Sequence, residues 1–140
     1  MYLLLFAYGI IALLNERGYI MKVFVYYNLH KKTWSIKALE GANKNKVMAH
    51  ARYVELSDVT PKVSKAGRQR VMKEGCKNVH AGLVGNLKLH TDSINVDLNL
   101  SNRKQVTYNP YLYESFVYLE DKSPFHHSND AILVDRKVYV

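Results

Sequence analysis

Residues 22–38, KVFVYYNLHKKTWSIKA, decide the fold class. Trp34, Ile36 and Ala38 alternate with Thr33, Ser35 and Lys37, the period-2 pattern of a half-buried strand. Before them KVFVYY is β-branched and aromatic, and NLHKK supplies a polar turn, so the stretch predicts a β-hairpin.

Working outward, GANKNK reads as a loop and VMAHARYVEL as one long bent strand or two short ones. Ile94, Val96, Leu98 and Leu100 alternate with Asn95, Asp97, Asn99 and Ser101, which predicts a half-exposed strand over 93–101. SFVYLE and the terminal AILVDRKVYV add strands, the latter with its turn at Asp135–Lys137. One helix interrupts this series. Ser64 stands where an N-cap belongs, after a break at Asp58–Pro61, and Gly75 where a C-terminal glycine belongs, so a helix is expected at about 65–74. Gly67 inside it is worth roughly 1 kcal/mol less than alanine. Val71, Met72 and Ala66 form only a thin apolar stripe, with cations over a wide arc. The expected architecture is α+β: mostly antiparallel sheet, one short basic helix, a single compact domain over 21–140.

The first twenty residues, MYLLLFAYGIIALLNERGYI, differ in character. Their apolar run ends at Leu14, short of the roughly 20 residues that span a bilayer. No basic segment precedes it and no small-residue cleavage site follows, so it is a poor signal peptide. The codons for Glu16-Arg17-Gly18 can spell a purine-rich ribosome-binding site just ahead of Met21. The expectation is an upstream extension, or a short apolar helix lying on the core or on a membrane surface.

Composition narrows the function. At 140 residues, 48% apolar and 23% charged, the chain fits one globular domain and not a disordered segment. The single cysteine, Cys76, excludes an internal disulfide and every paired-cysteine zinc pattern, and it suits a reducing compartment. The net charge of +8 is unevenly placed. Residues 62–77 carry six Lys/Arg against one Glu, whereas 88–140 carry six against seven acids. Such asymmetry favours a polyanionic partner.

The stretch AGRQRVMKEGCKNVHAG, 66–82, holds four of those six cations. Lys65, Arg68, Arg70, Lys73 and Lys77 offer phosphate contacts, while Asn78 and His80 share a face of the following segment, KNVHAGLVGNL. These seven residues are the expected nucleic-acid-binding surface. Gly82 and Gly85 in that segment mark a bulge or a close backbone approach. Tyr108, Tyr111, Tyr113, Phe116 and Tyr118 crowd around Asn109-Pro110, where they either stack bases or pack the core.

Catalysis is the weaker expectation. A metal-independent nuclease needs two acid–base groups and a cation, which His80 with His50 or His90, plus Arg68 or Arg70, supply by type. Cys76, flanked by Lys73 and Lys77, lacks an evident base. His126-His127 with Asp130 is a poor metal pattern, since adjacent side chains on extended chain point apart; no metal and no cofactor is expected. No phosphate-binding glycine loop is present.

The runs VYYNLHKKTWSIKALEG, AGRQRV, NVHAGLVGNL and YNPYLYESFV together resemble small accessory proteins of tailed bacteriophages, over residues 21–140. The resemblance implies a phage origin and a place in the cytoplasm of the bacterial host. It transfers no activity and no catalytic residue. The expected function is therefore binding of nucleic acid or another polyanion through a basic helix–strand surface. The alternatives are a small nuclease or phosphodiesterase using His80, or an inhibitor that caps an acidic host protein.

Overall fold

A computed structural model of the chain describes the backbone of residues 3–7 and 10–14, and residues 21–75, 79–94 and 100–140 in full. The strands are β1 (Leu3–Ala7), β2 (Ile10–Leu14), β3 (Lys22–Asn28), β4 (Thr33–Ala38), β5 (Val47–Ala51) and β6 (Tyr53–Val63). The helix α1 (Lys65–Glu74) follows, then β7 (Ala81–Thr91), β8 (Gln105–Thr107), β9 (Val117–Tyr118), β10 (Ser128–Val134) and β11 (Lys137–Tyr139). Nine of the strands form one antiparallel sheet in the order β5-β4-β3-β7-β6-β10-β11-β8-β9. The fold is α+β and mostly sheet, as the patterning predicts.

The hairpin forms where alternation places it, with Val25 opposite Ile36 and Tyr27 opposite Trp34. Asn28 builds its turn by accepting from the backbone N–H groups of His30 and Lys31, each at 3.0 Å. Val23, Val25, Trp34, Ile36 and Ala38 then face one way and join the main core. That core also takes Val106, Phe116, Phe125 and Val138 from the far end of the sheet. The sheet therefore curls over a shared apolar interior. The curl shows again where Arg136, in the β10–β11 turn, lies 5.2 Å from the ring centroid of Tyr27 on β3.

Of the two readings of VMAHARYVEL, the structure shows two strands, parted by a bend at Arg52. Other expectations change. Asp58–Pro61 is no break: β6 runs through it, with a register irregularity and Asp58 at φ 52 absorbing the distortion. Pro61 pairs in register with Leu83 of β7, but β10 follows β6 only as far as Val59, so on that side no strand requires the missing N–H. The middle of the strand expected over 93–101, and with it Val96 and Leu98, lies outside the described residues. At its ends Ile94 and Leu100 are not in strand, yet both pack against the small second core of Tyr53, Ile132 and Val134. The terminal hairpin turn is the two residues Asp135 and Arg136.

The apolar leader is an antiparallel pair, β1 with β2, in place of the expected short helix. A run apolar on every side shows neither period, so the pattern alone cannot choose between helix and strand. Gly9, a poor helix residue, interrupts it. Among the described residues no helix is long and apolar enough to cross a membrane.

Candidate nucleic-acid interface

Helix α1 spans Lys65–Glu74, and both of its ends follow the cap chemistry. The Ser64 hydroxyl accepts from the Gly67 N–H at 3.3 Å, and Gly75 closes the helix in left-handed conformation at φ 64. No acidic residue occupies the first turn, and Lys73 lies in the last.

The face that packs is not the expected one. Gly67 and Val71 are buried, whereas Ala66 and Met72 are exposed. Gly67 is there for contact: a Cβ added to it would sit 2.5 Å from the Cβ of His80. The helix thus lies directly on His80, and the backbone joins them as well, with the Ser64 N–H donating to the His80 carbonyl at 2.8 Å.

His80 is accordingly a core residue, 6% exposed, and no surface contact. Its Nε2 lies 3.1 Å from the Tyr108 hydroxyl and the two rings meet edge to face. Burial, and secondarily the Arg68 guanidinium, hold the imidazole below its usual pKa and so neutral. Burial raises the Tyr108 hydroxyl above the usual phenol range, against a lowering pull from Arg68. Arg68 in turn donates from Nε to the Pro110 carbonyl at 2.8 Å. Arg68, His80 and Tyr108 therefore form a clamp that fastens α1 to the aromatic loop, and Arg68 is committed within it.

Three cations remain from the expected surface. Lys65, Arg70 and Lys73 are exposed and form no ion pair among the described residues. Lys77 and Asn78, like Cys76, lie outside the described residues. The clamp sets Tyr111, 61% exposed, and Leu112, 69% exposed, immediately after the Pro110 carbonyl that Arg68 grips. Asn109 shapes this loop by accepting from the Tyr111 N–H through Oδ1 at 2.9 Å. Of the aromatic cluster, Phe116 is buried and stacks on Tyr108, with centroids 5.3 Å apart.

The nuclease set does not converge. His90 lies ten residues beyond His80, near the far end of β7, about 30 Å away at the rise of an extended strand. His50 is on the edge strand β5, three strands from β7, where its Nδ1 lies 2.8 Å from the Ser35 hydroxyl. Ser35 is fully buried, so that pair presents no accessible nucleophile. His127 pairs with Asp58 at 2.7 Å, while Asp130 holds Arg103 through both carboxylate oxygens at 2.8 and 3.3 Å. Among the described residues no cluster suited to a metal ion occurs.

What sequence reasoning missed is the partnership of the clamp, since 28 residues separate His80 from Tyr108 and 42 separate Arg68 from Pro110. The only local sign was a glycine within a helix.

Comparison with known proteins places the chain. No solved structure matches it. The "Gene 82 protein" of Mycobacterium phage L5 is 36% identical over 126 residues, covering 84% of this chain and 94% of that protein. The family model described as Mycobacterium phage L5 gene 82 protein matches residues 18–140. The chain belongs to this bacteriophage family.

Proposed function

We propose that this phage protein binds nucleic acid in the host cytoplasm through the outer face of α1 and the tyrosine loop fastened to it. One observation carries the reading: Lys65, Arg70 and Lys73 stand exposed and unpaired among the described residues, on the helix that Arg68 ties to the loop carrying the exposed ring of Tyr111. Cations that track a backbone next to an aromatic that stacks a base are the two components of single-strand binding. The sheet and the clamp hold both on one rigid support, so little order has to be imposed on binding.

The test is fluorescence anisotropy of labelled single- and double-stranded DNA and RNA, titrated with salt, against wild type and the triple variant Lys65→Ala, Arg70→Ala, Lys73→Ala. All three side chains are exposed, so the melting temperature should barely move. Removing one cation from a phosphate flattens the salt dependence on single strands by about 0.7, so the triple variant should lose about two units of slope. Wild-type protein that binds none of the four probes at low salt refutes the reading and assigns the basic face to an acidic host protein.

A further inference from the structure

The curled sheet leaves a slot of about 200 Å³ between its two halves, separate from the outer face of α1. Tyr27 and Trp34 wall it from the hairpin side, and Tyr108 and Phe116 from the opposite side. Gln105 and Thr107 add polar groups from β8. At one end lies a smaller cavity of about 90 Å³, sharing Tyr27, Trp34 and Arg136 with the slot and adding Lys32 and Arg52 against a single carboxylate, Asp135. An aromatic slot thus runs into a cationic end. The slot is smaller than the roughly 300 Å³ at which sites for drug-sized molecules begin, so it suits one ring.

Two further observations point to a ligand. Trp34 is 5% exposed, yet its indole N–H finds no partner among the described residues. The Thr33 hydroxyl beside it, lining the cationic end, is buried in the same condition. Buried donors of this kind are normally satisfied. The second observation is the backbone under Arg136. The two-residue turn between β10 and β11 places Asp135 at φ 51 and Arg136 at φ 64. Left-handed conformation at both central positions is a turn that favours Asn-Gly, and glycine at position 136 would serve the fold better than arginine. The arginine adds a guanidinium held over Tyr27, at the junction of slot and cationic end.

We propose that this slot binds one nucleotide unit, its base between the aromatic walls and its phosphate on Arg136, Arg52 and Lys32. The unit is a free nucleoside monophosphate or an unpaired nucleotide within a strand. Guanidinium recognises phosphate through paired N–H donors, and the polar groups of β8 supply contacts to a base edge. The inference stands apart from the α1 reading, because the slot shares with it only Tyr108, which faces His80 on one side and the slot on the other.

Trp34 is the sole tryptophan, so intrinsic fluorescence reports the site directly. The full chain is titrated with the four common nucleoside monophosphates, with short single-stranded oligonucleotides and with inorganic phosphate. Saturable quenching by a monophosphate identifies the free unit; saturation by oligonucleotide alone identifies the strand-borne unit. Arg136→Gly should weaken binding at least tenfold while leaving the melting temperature unchanged or higher, which a purely structural arginine would not do. The triple α1 variant should leave monophosphate quenching at the wild-type level, so failure of the α1 reading leaves this outcome unaffected. Absence of saturable quenching by every nucleotide probe overturns the inference. So does inorganic phosphate matching the nucleotides, or Arg136→Gly binding as wild type does.

Discussion

Replacing Gly67 by alanine sets two effects of opposite sign against each other. Alanine is the better helix former by about 1 kcal/mol, and by propensity alone the substitution should stabilise α1. Against this, the new methyl group would lie 2.5 Å from the Cβ of His80, where ordinary carbon contacts are at about 3.5–4 Å. Neither partner can swing away, because both atoms are fixed by backbone, and the Ser64–His80 backbone bond ties the two segments together. The helix must lift by about 1 Å, stretching that bond and loosening His80 from Tyr108. Overpacking of this kind is worth about 1–3 kcal/mol, and this contact belongs at the upper end of that range. The net expectation is a loss of about 2 kcal/mol, or roughly 6 °C in melting temperature for a chain of this size. Urea unfolding followed by far-ultraviolet circular dichroism measures it. Adding His80→Gly removes the opposing Cβ, and in that background Gly67→Ala should become neutral or stabilising. A rise in stability on Gly67→Ala in the otherwise wild-type chain refutes the close-packed clamp.

Stability should also fall as pH is lowered from 7 through the usual histidine range. His80 and His90 are both held below their ordinary pKa by burial, so near pH 6.5 the unfolded chain takes up protons that the folded chain does not. A denaturant midpoint flat between pH 7.5 and about 5.5 would contradict that sign, and His80→Phe should remove part of the slope. Deleting residues 1–20 should leave a cooperative melting transition, because the residues from Met21 onward already supply a core that draws on β3 to β8, β10 and β11. Loss of the transition in differential scanning calorimetry would instead make β1 and β2 part of the folding unit.

How much was legible in the sequence depended on distance along the chain. The hairpin at 22–38 was legible because alternation and turn chemistry lie within one short window. The helix boundaries were legible for the same reason: Ser64 and Gly75 act on groups three or four residues away. The sheet order was not, because β6 pairs with β10 and β3 with β7 across dozens of residues, with no sequence signal for either choice. The three-residue strand β8 is too short to show a period at all. Of the expected contact residues, Lys65, Arg70 and Lys73 are where solvation puts them. Arg68 and His80 have the residue types of a phosphate site, yet tertiary packing used them to hold the helix. Gly82 and Gly85 are points of close approach, as glycine within a strand implies: an added Cβ would collide with the Val25 carbonyl oxygen and meet that of Ser57 at 2.9 Å.

The clamp also explains why so thin a helix stays in place. With only Gly67 and Val71 buried, α1 gains little from apolar burial, and a ten-residue helix is marginal by itself. Its position rests on polar bonds, from Ser64 to His80, His80 to Tyr108 and Arg68 to Pro110. Polar bonds fix direction where apolar burial does not, so the orientation of α1 is set relative to the tyrosine loop and not merely to the sheet. That leaves nearly the whole circumference of the helix free for cations, which a deeper apolar stripe would have displaced. It also makes Tyr108 a side chain that touches both the helix support and the aromatic slot. A strand held by Lys65, Arg70 and Lys73 and also seated in the slot would have to span the clamp, in which Tyr108 joins the two. If the slot takes its nucleotide from a strand, loss of the α1 cations must therefore weaken oligonucleotide quenching of Trp34 while leaving the free monophosphate unaffected.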